Sequence, residues 1–473
     1  MASITTTRRS GFGRQATFVA SCVQAVVSLA TFLLVNNLVP AVDYARFSNA
    51  LALSVWVNTL LFEWARIAAS RFFHQHDARD GAGAAVFNAL IFGQIGATAI
   101  AIVGALAAWA TGLIAAGPAA ACVVIAWAQG AGDVLLAMLR MRGNHRIFSI
   151  AALIRVFGLM AVTAGVAGWT HRAEPALLAY AATAAVFIVA LYASQRRFYR
   201  IDPARVDIGQ LVGFLRYGGL AGGASMIHQL SVLCLRWQAM AALPPAHAAA
   251  VAIALDIFFR PFAVLAVAIN GAMMPDAVRE EEAAAARRPQ LRLLLRLHLW
   301  MAMAGFAGLS AGGWLLAAHL AQAASRPFLQ ANYVLLLIFC LSAVLLQAVT
   351  AVPVQLRNRN SQLVLTAIAQ LVLVAGAGAG IVALGRPELL PAVAAIAGVV
   401  SLIVGARQFR LIPAGWSPGE WASAGLIMLI AASIAASRID ARISAAIAAL
   451  AAGAWLLSTG RALLAARSRS EPA

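Results

Sequence analysis

The chain has 473 residues, 62% of them hydrophobic and 11% charged, with a mean hydropathy of +0.85. A soluble domain carries about 25% charged residues, so a soluble globule of this composition could not cover its apolar mass. The remaining charge is lopsided: 35 basic residues, all arginine, face 17 acids and leave a net charge of +18. Soluble enzymes and disordered chains are excluded. Cys22, Cys122, Cys234 and Cys340 all lie inside apolar runs, which fits neither a disulfide framework nor a zinc site.

An apolar run of about 20 residues crosses a bilayer as a helix, because every backbone polar group must pair internally there. The first run, 18–39, follows Arg8, Arg9 and Arg14. It is too long for a signal-peptide core and Pro40 to Asp43 form no convincing cleavage site, so a retained helix is expected. Further runs follow at 45–68, 84–109, 118–139, 147–169, 176–193, 212–240, 247–274, 293–318, 333–356, 361–384, 390–406, 421–437 and 442–464. The expected fold is an all-α polytopic membrane protein of about fourteen transmembrane helices.

The arginines test this topology. With the N-terminus in the cytoplasm, inner loops should be basic. The inner segments hold 25 arginines and the outer loops six: Arg46, Arg172, Arg326, Arg386, Arg438 and Arg442. The basic excess is therefore a topology signal, and nucleic-acid binding falls away. Both termini are expected in the cytoplasm. Two longer inner loops, 194–211 and 276–291, divide the chain, and the second, with Glu280, Glu281 and Glu282 before Arg287 and Arg288, suits a short surface helix. The expected division is an N-terminal lobe of six helices over 1–200, a second six-helix lobe over 201–410, and a C-terminal helix pair with a basic tail over 411–473. Each lobe begins on a similar plan, as internal transporter repeats do.

Four arginines remain within spans, Arg66, Arg155, Arg236 and Arg260, with three acids, Glu63, Asp133 and Asp256. A charge at mid-bilayer costs roughly 2.5–3.5 kcal/mol on insertion scales, so these side chains should face a bundle interior, a partner or water. Arg260 lies roughly 20 Å along its span. Asp256 precedes it by four residues on the same helix face, and Pro261 follows it, which should kink the helix beside the charge. A charged, broken helix tends to line a cavity. Arg236 stands beside Trp237 near the outer end of its span, where it can snorkel outward with the indole in the interfacial belt. Arg155 lies about 12 Å from the cytoplasmic end, near the limit of snorkelling. Glu63 and Arg66 are three residues apart and fit an interfacial ion pair. Asp133 stands alone in its span, either as a proton or cation site or hydrogen-bonded to a neighbour such as Gln129.

Gln24, Asn58, His228, Gln229, Asn270, Gln347, Gln355, Gln362 and Gln370 form a second polar layer, each fitting interhelical hydrogen bonding more readily than ligand contact. Thr350 and Pro353 mark 333–356 as an imperfect helix. His74 and His76 make an improbable metal pair in a loop. No nucleotide loop, zinc motif or nucleophile elbow is present, and Gly222-Gly223-Ala224 lets helices approach rather than cradling a phosphate. No catalytic residue, metal or cofactor is expected.

Three stretches carry a family resemblance. LLVNNLVPAVDYARFSNALAL (33–53) resembles the exit of the first helix and start of the second in the polysaccharide flippases of the multidrug/oligosaccharidyl-lipid/polysaccharide (MOP) exporter superfamily, with their L-P-x-x-x-Y-x-x-F turn matched at Pro40, Tyr44 and Phe47. GFLRYGGLAGGASMIHQLSVLCLRW (213–237) resembles the start of their second half. ALDIFFRPFAVLAVAINGAMMPDAVRE (254–280) resembles the following helix, with its R-P step and closing P-x-x-x-R. The resemblance implies two six-helix lobes in pseudo-twofold arrangement around a cationic cavity, and export of an undecaprenyl-diphosphate-linked oligosaccharide for surface polysaccharide synthesis. It implies the bacterial inner membrane as location and polysaccharide polymerase machinery as a further partner. Arg236 and Arg260, with Arg155 and Arg66 from the first lobe, would hold the diphosphate. One departure is that the family's acid near the end of the seventh helix is absent, where Leu235-Arg236-Trp237 stands.

The expected function is a flippase, not an enzyme, because guanidinium groups pair bidentately with phosphate oxygens. Asp256, Asp133 and Glu63 are the candidates for coupling to H+ or Na+. The nearest rival is a multidrug or cation antiporter of the same superfamily, in which acids rather than arginines would dominate. A membrane glycosyltransferase, polymerase or ligase would place catalytic groups on large outer loops, whereas the longest outer loop, about 318–332, is short. A lipid II flippase differs only in cargo.

Overall fold

A computed structural model describes residues 3–80, 83–142, 144–196, 200–282, 289–320, 322–356 and 360–408. Among these residues the chain is all helical: α1 (Ser3–Leu38), α2 (Ala41–Leu61), α3 (Glu63–Asp80), α4 (Gly83–Ala110), α5 (Ala116–Met141), α6 (His145–Thr170), α7 (Ala173–Gln195), α8 (Ile208–Ala242), α9 (Pro245–Glu282), α10 (Pro289–Leu320), α11 (Arg326–Leu356), α12 (Asn360–Ala383) and α13 (Leu390–Gln408). Ten helices among the described residues are long and apolar enough to cross a membrane. The first twelve expected spans each fall on helix. The expected spans 421–437 and 442–464, with the rest of the C-terminal segment 411–473, lie outside the described residues.

The second expected span differs, because it is two helices. Phe62 leaves helical geometry (φ −123°, ψ −20°), and the Ala65 amide bonds the Phe62 carbonyl three residues back. The tightening frees the Leu61 carbonyl, which accepts a hydrogen bond of 2.8 Å from the Trp64 indole Nε1. Buried backbone acceptors need such partners. The Phe62 ring is fully buried and lies over Gly130 of α5, where no larger side chain would fit beside it.

The loop expected over 276–291 also differs. Helix α9 continues through Glu282, and Glu280 accepts hydrogen bonds from the Gln290 and Leu291 amides, capping the first turn of α10. Segment 283–288 lies outside the described residues. Helices α9 and α11 run without interruption through Pro261 and Pro353.

The chain divides into two compact units, Met1–Leu233 and Cys234–Ala473, with the division inside α8. In the first unit α5 is central: it packs on α2, α3, α4 and α7, while α1 lies along α6. Small residues, Ala126, Ala128, Gly130 and Ala131 among them, let those neighbours approach. Exposed apolar residues such as Val103 on α4 and Val186 on α7 suit contact with lipid. The connection from α7 to α8 is pinned by fully buried Asn88, whose side chain donates to the Arg200 carbonyl and accepts from the Asp202 amide. In the second unit α11 is central, packed on α9, α10 and α13. All four cysteines are free thiols.

Candidate functional site: arginine–carboxylate clusters in each unit

The seven charged residues expected inside spans gather into two clusters, one in each unit.

In the first unit, Arg66 pairs with Glu63 one turn earlier on α3, as their spacing anticipates. Asp133 of α5 does not stand alone: Nη1 of Arg155, on α6, lies 3.3 Å from its Oδ1. Gly132, one residue before Asp133, leaves the space that the Ile188 side chain fills. Gln129 is not the partner of Asp133, and its own Oε1 is buried without a hydrogen bond among the described residues. Asp133 is also within electrostatic reach of Arg66 and of Arg140 on the last turn of α5. In the sequence Arg140 reads as a loop arginine marking topology, because it stands just past the apolar run 118–139. Three arginines thus stand around two carboxylates.

In the second unit, the expectation that Arg236 snorkels outward is overturned. Its side chain is 3% exposed and its Nη2 lies 2.8 Å from Oδ1 of Asp256 on α9. Trp237, next along the helix, turns the opposite way and is half exposed. Asp256 is fully buried and accepts a second bond, at 2.9 Å, from Nε of Arg260. Both arginines therefore converge on one carboxylate oxygen. Charge-assisted bonds of this kind are the strong ones, and they offset the cost of removing charge from water. Cys340, buried on α11, is within electrostatic reach of Arg236 and Asp256. Arg260 is the partly open member, its side chain 21% exposed.

Among the described residues, each cluster carries one more arginine than carboxylate. Each of the three acids proposed for ion coupling is already engaged by arginine. The excess positive charge suits an anionic group, and partly open Arg260 is best placed to meet one. The candidate residues of the first unit, Arg66 and Arg155, are likewise partner-bound.

No family model matches the sequence, and no curated protein sequence is significantly similar to it. Solved structures are similar in fold. A multidrug resistance MATE family transporter of the MOP superfamily in an inward-facing conformation matches with a TM-score of 0.60 at 15% identity, over 82% of this chain and 95% of that one. An outward-facing structure of such a transporter gives 0.59 at 15% identity, over 86% and 95%. A MOP superfamily transporter from Pyrococcus furiosus, described as having a binding pocket of reverse polarity and a different function, gives 0.57 at 15% identity, over 86% and 94%. At 15% identity the likeness is one of fold and singles out no family: among the described residues this chain has the all-helical fold of the transporters just named.

Proposed function

We propose that this chain is a membrane transporter that carries an amphipathic substrate across the bacterial inner membrane by alternating access. The observation that carries this reading is the fold, shared over more than four fifths of the chain with transporters captured facing inward and outward. Multidrug export, the activity named for those two structures, is the cargo reading that the comparisons support best.

A second cargo reading rests on the clusters themselves. A carboxylate that would meet an organic cation is shared with arginine at each of the three acids, Glu63, Asp133 and Asp256. A lipid-linked oligosaccharide presents a diphosphate, which arginine binds in bidentate fashion. Arg260, with Arg236 behind it and Arg155 and Arg66 in the other unit, supports a flippase supplying surface polysaccharide machinery. The transporter from Pyrococcus furiosus shows that pocket polarity differs among proteins of this fold.

One experiment separates these readings. The purified chain is reconstituted in liposomes and offered a fluorescent organic cation or a fluorescent polyprenyl-diphosphate sugar. Movement of the cation supports multidrug export, and movement of the lipid diphosphate supports the flippase. Failure to move either one contradicts the transporter reading for both classes.

A further inference from the structure

Helices α9 and α10 pack on one another, with Phe262 of α9 over Gly305 of α10. In this interface lies His298, a residue outside both arginine clusters and fully buried. Its Nδ1 is 2.9 Å from the Leu294 carbonyl, one turn earlier on α10. A carbonyl oxygen only accepts, so this contact assigns the hydrogen to Nδ1 and leaves a lone pair on Nε2. Nε2 is buried and has no hydrogen-bond partner among the described residues. The ring therefore holds one vacant position for a proton.

The opposing helix supplies an acceptor for a proton placed there. The Ala266 carbonyl of α9 is close enough to act on the ring. Asn270, one turn further along the same face of α9, has its Oδ1 buried without a partner among the described residues. A neutral ring donates once, within its own helix. A doubly protonated ring donates twice, and the second bond can cross to α9.

The ionisable groups of the neighbouring elements include two arginines on the same helix as His298. Among the described side chains, those on α9 are His247, Asp256, Arg260 and Glu280; Asp256 and Arg260 pair with each other and Glu280 caps α10. On α11 they are Arg326, Tyr333 and Cys340, and α10 itself adds Arg292 and Arg296. The influences acting on the His298 ring are its burial and the carbonyls of Leu294 and Ala266. Among the other described histidines, His247 stacks on Phe328 at 4.4 Å.

We propose that His298 is a proton-binding site coupling proton uptake to movement of α9 against α10. The proton adds to the Nε2 lone pair, nothing is oxidised or reduced, and its loss restores the neutral ring. Histidine suits this task because one ring nitrogen takes up and releases the proton while the other keeps its hydrogen bond. The inference rests on the transporter reading for its role in coupling, but its chemistry is tested separately.

The full chain, with histidine rings labelled in 13C and 15N, is placed in lipid nanodiscs and titrated by NMR between about pH 5 and 8. The expected result is one ring in the Nδ1-protonated neutral form at the alkaline end that becomes doubly protonated on acidification. His298→Asn, which keeps a donor for Leu294 and removes Nε2, should delete that signal alone, with His298→Gln as the second variant. A His298 ring that stays neutral throughout overturns the proposal, and this readout stands even if neither variant folds. In liposomes carrying the organic cation or the polyprenyl-diphosphate sugar, an imposed pH gradient should accelerate wild-type transport and not that of the variants. Gradient-driven acceleration surviving in His298→Asn also overturns the proposal. If neither probe moves with the wild type, the transporter reading fails while the titration still decides the proton site.

Discussion

Arg236 of α8 and Asp256 of α9 meet at 2.8 Å with both side chains almost wholly buried. Twenty residues separate them in sequence, and the pair ties two consecutive helices together inside the second unit. Because Arg260 bonds the same Asp256 oxygen, one carboxylate anchors two cations of different accessibility.

Removing that anchor should be severe. Asp256→Ala leaves Arg236 buried without its carboxylate, a loss that typically costs about 3–5 kcal/mol. Replacing both partners, Arg236→Met with Asp256→Leu, should recover much of that stability, since the buried arginine leaves together with its carboxylate. Thermal unfolding in detergent checks both variants. An Asp256→Ala protein melting with the wild type would contradict the structural role.

Arg260 should behave differently from Arg236. Its side chain is partly open, so Arg260→Ala should melt close to the wild type. If the cargo is a lipid diphosphate, losing one charge-assisted contact of about 1.5–3 kcal/mol should weaken its binding by roughly 10–100-fold. Binding of a fluorescent polyprenyl-diphosphate sugar measures this. Unaltered affinity in a stable Arg260→Ala protein would remove that residue from the site.

In the first unit the Arg155–Asp133 pair predicts a milder loss. The Asp133 side chain is 34% exposed and the contact is longer, at 3.3 Å. Asp133→Asn should therefore cost about 1 kcal/mol, nearer a surface pair than a buried one. Comparing its melting shift with that of Asp256→Ala tests the ranking. A larger loss at Asp133 would reverse the assignment of which cluster carries the buried charge.

Gly218 and Gly219 are adjacent in α8 and should respond in opposite ways. A methyl group at Gly218 would lie 2.5 Å from the Trp64 carbonyl oxygen, whereas one at Gly219 meets nothing within 4 Å. Gly218→Ala should destabilise by about 1–3 kcal/mol through overpacking. Gly219→Ala should be neutral or gain up to about 1 kcal/mol from helix propensity. Matching melting shifts for the two variants would show that α8 does not approach α3 as described.

The i,i+4 bond from Arg260 to Asp256 and the i,i+3 pair of Arg66 with Glu63 were legible in the sequence, because both partners lie on one helix whose geometry is known in advance. Arg155 with Asp133 and Arg236 with Asp256 were not. Each joins two helices, and spacing along the chain says nothing about their relative rotation. The break at Phe62 was hidden too: no proline or glycine marks it, and it depends on the Trp64 indole taking the freed carbonyl while the Phe62 ring settles over Gly130. A histidine among leucines, as at His298, carries no signal in the sequence of which ring nitrogen is left vacant.

Sequence by itself determined that this chain is helical and crosses a membrane many times, and it located the first twelve apolar segments. Those are local properties: a run of apolar side chains must satisfy its own backbone in lipid whatever its neighbours do. It also singled out seven charges as too costly to leave unpaired. Only the tertiary structure decided which charges answer one another, that Arg236 turns inward, and that every one of the three carboxylates is already taken. Partnership across helices depends on the rotation and depth of each helix, and those are set by packing of small residues such as Gly130 and Gly132 rather than by the charges themselves.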